Sequence, residues 1–141
     1  MKWIKKYKLF ESINQIDQII SDCKDIFQEL IDQDRKIRVR VFYKNYKNPS
    51  APIYLGTNYI NCPTHNIKPN SEIFKIELFC PKNCVFPISK RKELQITEYP
   101  DRLYDYMLMQ GFEMIDKNTI LNFIEGPNEY VVWWLYQRKK N

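Results

Sequence analysis

The sequence predicts an α+β fold, a mostly antiparallel sheet with two helices on one face. Three observations carry that expectation. An apolar stripe at helical spacing follows Ser12, several short segments alternate apolar and polar residues between turn-forming clusters, and the run YVVWWLYQ near the end has no polar face. Strands grouped between helices, rather than alternating with them one by one, belong to the α+β class. The 141 residues fit one domain, residues 1–141, large enough to bury a core without staples. At 44% apolar and 28% charged the chain is globular in composition, so disorder is not expected.

Each element has its own signal. Residues 1–11 form a basic leader with four lysines, and it is read either as a packed segment or as a detachable one. Ser12 and Gln15 form a capping box, which closes two exposed amides of a first helical turn. Ile13, Ile16, Ile20, Cys23, Phe27 and Leu30 then step by three and four, predicting a helix to about Gln33. Its outer face is acidic, with Asp17, Asp22, Asp25, Glu29, Asp32 and Asp34 against Lys24.

RKIRVRVFYKNY alternates over Ile37, Val39, Val41 and Tyr43 as a half-buried strand does. IYLGTNYI predicts a second strand, and IFKIELF a third that ends at CPKNC. A second helix is expected from Thr97, with Pro100 in its first turn and Gly111 at its end. FEMID, KN and TILNFIE suggest a hairpin. YVVWWLYQ, apolar on both sides, belongs in the middle of the sheet.

Two groups of residues have chemical potential. Cys62-Pro-Thr-His65 and Cys80-Pro-Lys-Asn-Cys84 each begin Cys-Pro and place a second zinc-type ligand three or four residues on. Zinc takes four such ligands in a tetrahedron, commonly as pairs from two tight turns. Cys62, His65, Cys80 and Cys84 are therefore a candidate zinc site, and a small zinc-stabilised domain is one reading. The competing reading makes the cysteines small core residues and His65 a loop residue.

The second group is the strand 36–46, where Lys36, Arg38, Arg40, Phe42, Lys44 and Tyr46 share one face. Cations track phosphates and rings stack on bases, so this row is a candidate nucleic-acid platform. Edge-strand lysines and arginines that block unwanted pairing are the plainer explanation.

Other classes lack signals. Nucleophilic catalysis needs a base beside the nucleophile, and His65 is the only imidazole, with no spacing that nominates a partner. The glycines, Gly56, Gly111 and Gly126, are isolated, so no phosphate loop is present. A non-enzymatic protein is expected. No apolar run approaches the ~20 residues of a membrane-spanning helix, and the leader lacks the apolar core of a secretory signal. An intracellular protein with reduced thiols follows as the expectation.

Lys-Leu-Phe-Glu-Ser, after a basic aromatic start and before an Ile-rich amphipathic helix, resembles the opening of many small uncharacterised proteins of tailed bacteriophages. The resemblance is specific over residues 1–31 and one of general style beyond. It implies an accessory or virion-associated protein that works by contact with protein partners such as phage structural proteins, in the host cytoplasm or the virion. Leu9-Phe10-Glu11 also resembles the tripeptide at which targeting segments of internal head proteins of T4-like phages are cleaved. That likeness implies a processing site, whereas packing of Trp3, Ile4 and Phe10 against the first helix implies none.

Overall fold

The computed structural model describes residues 15–33, 37–48, 52–56, 58–62, 64–81, 90–118 and 129–139. Helix α1 covers residues 15–26 and α2 covers Gln28–Gln33. Strand β1 is Arg38–Tyr46, β2 Ile53–Leu55, β3 Asn58–Ile60 and β4 Ser71–Pro81. Helix α3 spans Lys90–Met109, followed by β5, Phe112–Asn118, and β6, Glu129–Arg138. The fold is α+β: four antiparallel strands in the order β1-β4-β6-β5, with β2 and β3 forming a separate two-stranded sheet.

The last strand is central, as its two apolar faces require. β6 lies between β4 and β5, and Val131, Val132, Trp134, Leu135 and Tyr136 are all buried. One face of the sheet carries Phe74, Ile76, Leu78, Cys80, Val132, Trp134, Tyr136 and Phe112 into a single buried cluster with residues from the helices. Ile19 and Cys23 come from α1, Leu30 from α2, and Tyr99, Leu103 and Met107 from α3. Phe27 sits at the centre of this cluster, fully buried. Its ring stacks on Trp134 at 5.7 Å and on Tyr99 at 6.1 Å.

The opposite face has a core of its own. Tyr46, Leu55, Ile60, Cys62, Ile67, Ile73 and Leu135 form a second buried cluster, with Phe42, Ile53, Ile115 and Trp133 packed against it. Here the cover is the β2–β3 hairpin and the 61–70 segment rather than a helix. The sheet is thus enclosed on both sides, and the alternation of β1 and β4 does not mark a wet face.

Three elements differ from the sequence expectation. The first helix breaks at Phe27, where the Phe27 amide bonds the Lys24 carbonyl at 3.2 Å, one residue tighter than an α-helical bond. IYLGTNYI is not one strand but a hairpin, because Gly56 takes φ +73° and turns the chain between Leu55 and Asn58. α3 begins at Lys90, before Thr97, and Pro100 lies inside it. FEMID pairs with β6; the arm expected at residues 119–125 lies outside the described residues. Gly111 does end α3, at φ +89°.

Candidate functional site

The basic strand is only partly the open row that its sequence suggests. Arg38 and Lys44 are exposed and Arg40 is partly so, but Phe42 is half-buried and Tyr46 is 2% exposed. Their side of the sheet is the one covered by the hairpin, so the rings expected to stack on bases are packed into the second core. The arginines lie over rings of their own protein. Arg38 is 4.5 Å and Arg40 5.4 Å from the Phe79 centroid, and Arg40 is also 4.8 Å from Phe42. Lys36 lies outside the described residues, as do Leu9, Phe10 and Glu11 of the leader.

Cys62 and Cys80 are not brought together either. Cys62 belongs to the hairpin-side core and Cys80 to the helix-side core, so the sheet stands between them. Cys84 lies outside the described residues. Among the described residues no three His, Cys, Asp or Glu side chains are grouped to hold a metal ion. His65 instead meets Asp116, Nδ1 to Oδ2 at 2.5 Å, and sets its ring edge-on to Trp133 at 6.2 Å. No hydroxyl or thiol among the described residues bonds that ring. Burial raises the thiol of Cys62, and the burial of Cys23, with the charge of Asp22 beside it, pushes that thiol up to about 12. Neither is a poised nucleophile.

What the sequence reading missed is a buried ion pair under the hairpin. Lys75 and Glu77 alternate with apolar residues on β4, and their side chains are 1% and 0% exposed. Lys75 Nζ stands 3.2 Å from Glu77 Oε2 and donates a hydrogen bond to the Leu55 carbonyl of the hairpin at 3.0 Å. Its ammonium also lies 5.2 Å from the Trp133 ring centroid. The Glu77 carboxylate packs against the backbone of Gly56, where a Cβ would come within 2.6 Å of it. Glycine at the turn therefore serves twice, for its positive φ and for this close approach. A signal for the pair was present. β6 is apolar on both faces, so the strand beside it must be covered on both faces too.

A second contact between layers depends on irregular pairing. β5 shifts register between Met114 and Asp116, so Ile115 is an extra residue opposite β6. Asp116 then pairs with Leu135, a residue of the hairpin-side core, and its carboxylate reaches His65.

The outer face of the hairpin is aromatic. Tyr54 and Tyr59 are cross-strand partners, 59% and 69% exposed, with centroids 5.3 Å apart at 78°. They lie in an acid-free stretch: residues 37–70 hold Arg38, Arg40, Lys44, Lys47 and Lys68, a net +5, with no Asp or Glu. The first two helices have the opposite sign: residues 15–33 hold five carboxylates against Lys24, a net −4, whereas α3 balances four cations with four carboxylates.

Comparison with known proteins returned no match, whether to family models, curated proteins or solved structures. No helix among the described residues is long and apolar enough to cross a membrane.

Proposed function

We propose that the chain is a non-enzymatic accessory or virion-associated phage protein that works by protein contact, and that the Tyr54–Tyr59 pair is its contact knob. The exposure of these two rings, side by side on a hairpin held from beneath, supports the reading. Tyrosine offers a large contact area with few rotatable bonds, which suits the centre of a protein interface. The edge-to-face arrangement makes the pair a compact apolar knob with two polar tips. The assignment to a phage, in host cytoplasm or virion, rests on the likeness of residues 1–31. Affinity capture from infected cells, compared between the native chain and a Tyr54→Ser/Tyr59→Ser variant, tests the reading. The variant should lose the captured partner while keeping the native circular dichroism spectrum. Equal capture by both would refute the assignment of the knob.

Nucleic-acid binding is the second reading, favoured by the acid-free basic stretch 37–70 and the exposed Arg38 and Lys44. It predicts binding of a fluorescent oligothymidylate that weakens steeply with salt, by a log–log slope of about −0.7 per phosphate contacted. Salt-independent binding, or none at low salt, would end it.

A further inference from the structure

The two outer strands of the four-stranded sheet are finished differently. β5 carries the extra residue Ile115, and a bulge of that kind twists an edge away from further pairing. β1 is regular: Arg38–Tyr46 meets β4 residue for residue without a shift, and it holds no proline or glycine. Among the described residues no strand pairs with its outer edge over Val39–Tyr46. The side chains show the same opening. Val39, Val41 and Phe42 stay half-buried, whereas their β4 partners Leu78, Ile76 and Lys75 are fully buried.

This edge is charged along its own length. Residues 38–48 hold Arg38, Arg40, Lys44 and Lys47 with no Asp or Glu, a net +4. Arg38, Arg40 and Lys44 alternate on the hairpin side of the strand, and Val39, Val41 and Tyr43 on the helix side. Cations at an edge commonly guard it against pairing. Here Arg38 and Arg40 lean inward instead, their guanidinium carbons 4.5 and 5.4 Å from the ring centroid of Phe79 on the neighbouring strand. They lie over β4 rather than out across the edge.

We propose that the outer edge of β1 takes an extended segment of a protein partner as an added strand, one that alternates acidic with apolar residues. Such a strand finds main-chain groups for a ladder, cations along one of its faces, and Val39, Val41 and Tyr43 beside the other. The same charges disfavour a second copy. Two β1 strands set antiparallel about Phe42 would oppose Arg40 to Lys44 twice, and set parallel in register would oppose each cation to itself. The ladder also favours a peptide over nucleic acid, which has no row of amides to match a strand edge. This surface is separate from the Tyr54–Tyr59 pair, so either can fail alone.

Fluorescence anisotropy of the full chain with a labelled peptide as long as β1, alternating Glu with Val, tests the proposal. The peptide should bind, and replacing its Glu by Lys should weaken binding by more than about tenfold. Two further probes carry methyl groups on the backbone nitrogens of the Val residues or of the Glu residues. The one methylated along the bonding edge should bind more than about tenfold more weakly, because its ladder is lost. Amide hydrogen exchange should slow at alternate residues of β1 and stay unchanged on the β2–β3 hairpin. An Arg40→Glu/Lys44→Glu chain should reverse the preference and take the Lys peptide. No binding of the Glu peptide overturns the proposal, as does equal binding of the Lys peptide. Full binding by both methylated probes would leave charge attraction without a ladder and overturn the added strand. Protection on the hairpin would move the peptide to the tyrosine pair, and displacement by equimolar oligothymidylate would give the edge to nucleic acid; each overturns the proposal.

Discussion

Replacing Lys75 by Met keeps the aliphatic stem and removes the ammonium from beneath the hairpin. In the native chain that ammonium touches Glu77 at 3.2 Å and the Leu55 carbonyl at 3.0 Å, with both charged side chains at most 1% exposed. Solvent therefore does not dilute the pair as it does at a surface. Removing one member of a buried pair costs about 3–5 kcal/mol, because the remaining charge stays in a medium that solvates it poorly. The lost bond to Leu55 is part of that figure, being a charge-assisted bond of about 1.5–3 kcal/mol. At a urea dependence of about 2 kcal/mol per molar, the unfolding midpoint should fall by about 2 M. Tryptophan fluorescence is a suitable probe, since Trp133 lies against the Lys75 ammonium. Replacing both residues, Lys75→Met with Glu77→Leu, removes the desolvation cost with the attraction, so the double variant should lie within about 1 kcal/mol of the native chain. The resulting coupling would be several kcal/mol. A single-variant loss below about 1 kcal/mol, or a double loss equal to the sum of the singles, would refute the reasoning.

Other expectations follow from the same structure. Phe27→Ala should cost about 3–5 kcal/mol by chemical denaturation, since a fully buried ring between Trp134 and Tyr99 leaves a cavity; a loss under about 1 kcal/mol would misplace the helix. Gly56→Ala should cost about 1–3 kcal/mol, from a left-handed φ and a Cβ pressed on the Glu77 carboxylate, and neutrality in the same assay would contradict the turn. Burial raises the Glu72 carboxyl, but its hydrogen bonds from Arg138 and Tyr43 and the Arg138 charge outweigh this and leave it below its ordinary 4.5. Its stabilising contribution is present above pH 4.5 and is lost as pH falls through the lower folded value, so Glu72→Gln should flatten the acid limb of stability against pH. In a Cys84→Ser variant the thiols Cys23, Cys62 and Cys80 are all buried, and a disulfide reagent should modify them only as fast as the protein opens.

Periodicity revealed most of the fold because it reports burial directly. The stripe from Ile16 to Leu30 and the apolar run of β6 both lie where their patterns place them. It misled where one pattern has two physical causes. Alternation in β1 suggested water on its polar side, yet that side of the sheet holds a second core in which Lys75 neutralises Glu77 and arginines cover Phe79. The row from Arg38 to Tyr46 was legible as a row, but whether Phe42 and Tyr46 were open depended on a hairpin that folds back from residues 53–60. The cysteine motifs show a related point. Similar spacing in sequence says nothing about which side of a sheet each residue joins, and Cys62 and Cys80 join different cores. The Tyr54–Tyr59 pair became visible only once Gly56 was seen to turn the chain.

The extra residue in β5 makes chain length negotiable at one point. If Ile115 were deleted, Met114 would still face Tyr136 and Asp116 would still face Leu135, because the surplus residue has no counterpart on β6. The other described pairings run residue for residue, so an insertion or deletion inside them would exchange the contents of the two cores. Relatives of this chain that differ in length within the sheet by a single residue should therefore differ between Met114 and Asp116. The contact between Asp116 and His65 would survive that change, leaving the loss of Ile115 from the hairpin-side core as its main cost.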